Sequence, residues 1–138
     1  MQLDWQGFAT GAGHFILAFG LSCLFLGLFK RLYQMSTPYQ EARLIGEGNL
    51  AASIALSGAI IGFALPLASA LTQTANWIEF AAWAVLAGVI QIVASLVVRR
   101  FIVRDMVQRL EAGNVASAAY LAATAVGVGL LNAASMTY

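Results

Sequence analysis

The chain has 138 residues, of which 61% are apolar and 9% charged, where an ordinary soluble domain carries about 25% charged residues. A soluble globule of this size would still expose about a third of the surface of its unfolded chain, and thirteen charged side chains cannot cover that exterior. Lipid must therefore be the solvent for much of it. The net charge of +1 removes nucleic acid as a partner, and a single cysteine, Cys23, can form neither an internal disulfide nor a CxxC metal site.

The first residues carry Asp4 in place of a positive leader segment, so the first apolar run is expected to stay in the mature chain. A helix rises about 1.5 Å per residue, so about 20 apolar residues cross a hydrocarbon core roughly 30 Å thick. Four stretches reach that length: Phe8–Phe29, Leu50–Leu71, Trp77–Val98 and Val115–Met136. They are continuous rather than alternating, which excludes barrel strands. The predicted fold class is an all-α membrane protein, a single integral domain over residues 1–138.

All seven basic residues fall in two connections, Lys30, Arg31 and Arg43 after the first span and Arg99, Arg100, Arg104 and Arg109 after the third. The positive-inside rule then places both connections in the cytoplasm and both termini outside, an N-out/C-out topology. Trp5, Trp77 and Tyr138 would mark the outer interface, Tyr33 and Tyr39 the inner one. In the first connection Thr37, Pro38 and Gln40 read as the N-cap, first helical residue and capping-box partner of a short helix. In the second, Ile102, Val103, Met106, Val107 and Leu110 recur at helical spacing, with Arg104, Asp105, Gln108 and Arg109 opposite. That segment could lie on the inner leaflet with its arginines at anionic headgroups, dock a cytoplasmic protein, or extend the third span and pack against the other connection.

Gly48-Asn49-Leu50-Ala51 returns 65 positions later as Gly113-Asn114-Val115-Ala116, and in the same register Leu56 matches Leu121, Gly62 matches Gly127, Leu65 matches Leu130 and Ala68 matches Ala133. The predicted unit is a helical hairpin present twice, over about residues 8–71 and 77–136, as a parallel repeat. Gly48 and Gly113 would close the interfacial helices in the left-handed conformation, and Asn49 and Asn114 would cap the next spans. The sharper alternative places both asparagines at the mouth of a polar opening.

Gly58 and Gly62 in the second span, and Ala119, Ala123 and Gly127 in the fourth, have the four-residue spacing that lets helix backbones approach in lipid. These two spans are the expected packing pair. Pro66 should kink the second span and free the carbonyl of Gly62, which could alternatively coordinate an ion. His14, Gln91 and Asn132 are the polar side chains expected at membrane depth, with Glu79 at the outer edge. His14 and Glu79 would sit at similar depth, as a proton-linked or cation site requires; ordinary interhelical hydrogen bonding is the plainer reading. Gln91, near mid-membrane, would either join two helices or line a pore in an oligomer.

No nucleophile, phosphate-loop or metal-ligand signature is present, so neither catalysis nor a cofactor is expected. The two Gly-Asn-x-Ala motifs, the stretch from Gly58 to Pro66 and the ending Leu130-Leu131-Asn132-Ala133-Ala134 resemble the YjfL-like small bacterial inner-membrane proteins. The resemblance implies a duplicated two-helix domain of unknown function in the bacterial inner membrane, and it transfers no catalytic residue. Two functions fit: an oligomeric scaffold or accessory subunit, or a small oligomeric channel or transporter for an ion or small solute.

Overall fold

The computed structural model describes residues 2–136; the placement of Tyr138 at an interface lies outside the described residues. Four long apolar helices carry the chain across the membrane: α1 (Trp5–Ser36), α3 (Leu50–Gln73), α4 (Trp77–Val97) and α6 (Val115–Ser135). Two short helices, α2 (Glu41–Gly46) and α5 (Met106–Glu111), lie in the basic connections.

The largest departure from expectation is α1, which runs 32 residues to Ser36 instead of stopping near Phe29. Lys30 and Arg31 do not end it, because long cationic side chains reach water while their stems stay on apolar surface. Phe29 and Tyr33, one turn apart on the opposite face, stay buried and hold the extra turns in place. Thr37 is therefore not an N-cap. It closes α1, its amide and hydroxyl both donating to the carbonyl of Gln34, and α2 starts at Gln40 without a side-chain cap.

The two basic connections finish identically. Gly48 at φ +83° and Gly113 at φ +81° end α2 and α5 in the left-handed region where a Cβ is unwelcome. The amides of Asn49 and Asn114 reach back 2.8 Å to the carbonyls of Leu44 and Arg109, the six-to-one bond of a Schellman ending. Each asparagine then starts a span, Oδ1 accepting from Ala52 N in one and Ser117 N in the other, both at 3.0 Å.

Beyond Val97 the third span widens into a π-helical turn, Val98–Ile102, closed by Val103 N donating to Val98 O at 3.0 Å. Asp105, at φ +56°, then turns the chain into α5. α5 does not lie apart on a leaflet. Met106 and Leu110 are 1% and 0% exposed, packed with Val98, Leu44, Ala118 and Leu121 between the connections and the spans. Its one arginine, Arg109, is exposed, as are Arg100 and Arg104 before it.

α3 and α6 form the most intimate pair, as their small residues predict, but the seam on α6 is rotated from the expected one. A Cβ on Gly58 would stand 2.5 Å from Ala122 Cα, and one on Gly62 would stand 2.5 Å from Ala125 O. A Cβ on Gly129 would collide with the carbonyl of Gly62. The contact face of α6 is thus Ala118, Ala122, Ala125 and Gly129. Ala123 is exposed and Gly127 has open space where its Cβ would be. α6 has enough small residues to present two such stripes, and spacing alone does not choose between them. α3 continues through Pro66 to Gln73, with Pro66 buried in the bundle.

α4 closes the triangle on α3 and α6, and α1 lies outside on α3 and α4 through Phe29 stacked on Phe63 (4.3 Å) and Phe25 edge-on to Phe80 (5.5 Å). Only 6% of the most apolar stretch of α1 is buried, against 56% for α3, so α1 is the peripheral helix.

Candidate functional site

A four-residue step keeps side chains on one helix face. On α4 that face carries Ala87, Gln91 and Ser95, and Arg99 follows in the π-helical turn. Gln91 is buried, and its Nε2 donates 3.0 Å to Ala125 O on α6. Asn132 on α6 answers by donating 3.2 Å to Ala87 O on α4. Two of the sequence-predicted polar groups thus form reciprocal interhelical bonds.

Farther along, the guanidinium of Arg99 lies 5.7 Å from the centre of the Tyr33 ring, donates through Nε to Ser95 O (3.4 Å) and through Nη2 to Ser36 Oγ (3.5 Å). Beside it sits Glu41, the first residue of α2, only 2% exposed. Among the described residues neither carboxylate oxygen has a well-formed hydrogen bond, and no cationic nitrogen is within ion-pair distance of them, though Thr37, Gln34 and Tyr39 stand near. Burial pushes the Glu41 carboxyl above its ordinary range; Thr37, the charge of Arg99, Gln34 and Tyr39 each favour the anion without cancelling that cost. Burial likewise raises the Tyr39 hydroxyl, reinforced by Tyr33 and Glu41, so it stays protonated at neutral pH.

Among the described residues, six buried side-chain atoms lack a hydrogen-bond partner: Tyr39 OH, both oxygens of Glu41, Gln91 Oε1, Ser95 Oγ and Arg99 Nη1. All six belong to this one file of groups, which runs from mid-bundle along α4 to the basic end. Buried polar atoms are usually paired, so their concentration here sets the file apart from the rest of the core.

The other predicted residues lie elsewhere. His14 is exposed and lines a pocket of about 190 Å³ with Leu71, Thr74, Ala75, Asn76 and Trp77, beside the α3–α4 turn. Glu79 is not part of that pocket; its Oε2 accepts from Ala75 N at 3.4 Å. Asn49 Nδ2 donates to Leu110 O (2.9 Å) and Glu111 O (3.3 Å), sealing one connection to the other, while Asn114 is exposed.

Sequence reasoning missed Glu41 and Ser95. An acid beside a basic connection reads as an ordinary surface charge. The available signal was the 65-residue register, which sets Glu41 opposite Met106, an apolar residue.

Four apolar spans, basic connections and sparse interhelical hydrogen bonds define a polytopic α-helical membrane protein. The chain belongs to the DUF350 family, described as Domain of Unknown Function (DUF350), whose model matches residues 5–136. It is 29% identical over 127 residues to the UPF0719 inner membrane protein YjfL of Escherichia coli K12, covering 92% of both chains, and equally similar to its counterpart in E. coli O157:H7. No solved structure shows significant similarity. The protein is a multi-pass inner-membrane protein.

Proposed function

We propose that the protein is an oligomeric membrane scaffold or accessory subunit that works by assembling with copies of itself in the inner membrane. The observation that carries this reading is the near-bare α1. Phe15, Phe19, Leu24 and Leu28 project from it with more than half their surface exposed, while α3 and α6 offer an open groove lined by the small residues Ser53, Ser57, Gly58, Ala122, Ala123 and Gly127 together with Ile54, Ile61, Val126 and Leu130. Bulky ridge and shallow groove lie on different sides of one chain, so a second copy can use both. The backbone contact of Gly58 and Gly62 with α6 leaves no room for a path between these spans.

In this reading the chain is a duplicated hairpin with cytoplasmic connections and external termini. α2 and α5 begin and end 65 residues apart, as α3 and α6 begin, and the paired Gly-Asn endings support the duplication. The confinement of all arginines and lysines to one end supports the orientation. The exposed Arg100, Arg104 and Arg109 would meet anionic headgroups or a cytoplasmic protein partner. No catalytic step, nucleic acid or cofactor enters.

Native mass spectrometry in nanodiscs should show an oligomer, and replacing the exposed Phe15 and Phe19 of the α1 ridge by alanine should weaken it. A monomer at all protein-to-lipid ratios would overturn the reading. The second reading, a small oligomeric channel or transporter, draws on the buried and unpartnered Oε1 of Gln91. Ion or small-solute flux in liposomes that is lost on Gln91→Leu would establish it.

A further inference from the structure

Glu41 and Met106 occupy the same place in the two connections: each is the first residue of its short helix, 65 positions apart, and they are 2% and 1% exposed. The architecture therefore accepts an apolar side chain at this position, and nothing in the packing of the helix calls for an acid. A buried carboxylate is costly, and the neighbouring Thr37, Gln34 and Tyr39, with the charge of Arg99, offset only part of that cost, so the carboxyl stays above its ordinary range.

The donor set limits what the carboxyl can bind. Glu41 brings two oxygens, Tyr39 one hydroxyl, and Arg99 stands close with a positive charge. Divalent cations take about six to eight oxygens, and the guanidinium repels any metal ion. Among the described residues no three acidic, histidine or cysteine side chains gather around a point. A proton needs one oxygen only. An open pocket of about 510 Å³, lined by Gln34, Thr37, Tyr39, Gln40, Glu41 and Arg43, brings water against Glu41 at the basic end, while the carboxylate oxygens themselves are closed off from it.

We propose that Glu41 is a reversible proton-binding site of the basic end. Hydronium entering through the pocket gives its proton to one carboxylate oxygen and leaves as water; release is the reverse. The neutral acid packs as Met106 does. The anion is drawn to Arg99, whose guanidinium would leave the Tyr33 ring and tie α2 to the end of α4. The titratable and charged groups facing Glu41 are Tyr33 on α1, Tyr39 in the connection and Arg99 in the π-helical turn, and Arg43 of α2 lines the same pocket. α3, packed behind α2, carries no charged residue.

The linkage sign follows from the direction of the shift. An acid held above its unfolded value of about 4.3 binds more protons folded than unfolded, so stability falls as pH rises through the folded value and levels off above it. Thermal unfolding of the full chain in nanodiscs between about pH 5 and about pH 8 should show the wild type losing a few degrees that Glu41→Met does not lose. Superimposable pH profiles would overturn the proposal. Infrared spectroscopy gives an independent reading on the wild type: the C=O stretch of a protonated carboxyl should persist above about pH 5 and vanish in Glu41→Gln. Its absence from the wild type at that pH would equally overturn it, whether or not the methionine variant folds.

Discussion

The side-chain amide of Asn49 donates 2.9 Å to the carbonyl of Leu110, so the start of α3 is fastened to the end of α5 across 61 residues of chain. Asn114 has the same cap and lacks that cross-link. Asn49→Asp keeps the cap oxygen, loses the donor and sets a negative oxygen against two carbonyls. It should cost about 1–3 kcal/mol, whereas Asn114→Asp should stay within about 0.5 kcal/mol, because an acid is welcome at an exposed helix start. Thermal unfolding of both variants in detergent checks the contrast.

Small residues on α3 and α6 should divide sharply in their tolerance. Gly58→Ala and Gly129→Ala drive a methyl into the backbone of the partner helix, and overpacking of this kind costs about 1–3 kcal/mol. Gly127→Ala meets open space and gains helix propensity, so it should be neutral or stabilising by up to about 1 kcal/mol. Equal effects at Gly58 and Gly127 in chemical denaturation would contradict the seam described above.

Gln91 and Asn132 are each worth one interhelical hydrogen bond. Such bonds in membrane proteins contribute about 0.6 kcal/mol on average and at most about 1.7. Gln91→Leu also removes an oxygen that has no partner, so it should be the milder change, and Asn132→Leu the larger. Both variants should retain the oligomeric state of the wild type in native mass spectrometry.

Tyr39→Phe provides a graded test at the basic end. The Tyr39 hydroxyl is one of the groups that favour the Glu41 anion. Its loss should push the carboxyl higher still, moving the pH at which stability is lost upward relative to wild type. The phenol itself stays protonated, so no second transition should arise from it near neutrality. Unfolding temperature measured against pH for the two proteins decides the matter.

The spans and the two repeated asparagine caps were legible because they depend on local chemistry. Leu50 and Val115 start helices behind Asn49 and Asn114, and an asparagine cap acts within three residues. The end of α1 was not legible, because the burial of Phe29 and Tyr33 against other helices carries it past two charges. The stripe on α6 was ambiguous for a related reason: Ala118, Ala122 and Ala125 are indistinguishable in spacing from Ala119 and Ala123 until α3 selects a face. Glu41 was hidden most deeply. Its burial comes from Tyr39 and the lengthened α1, and neither leaves a local pattern around an acid. His14 lies beside the α3–α4 turn, on the same side as Glu79, as the order of the spans implies.

The seam between α3 and α6 joins the first half of the molecule to the second through backbone-close packing, with Ser69 Oγ donating to Ala133 O at one end and Asn49 reaching Leu110 at the other. The covalent link between the halves is only the turn from Thr74 to Asn76. A chain severed there and produced as two separate polypeptides should reassemble in the bilayer, with each fragment serving as the template on which the other inserts.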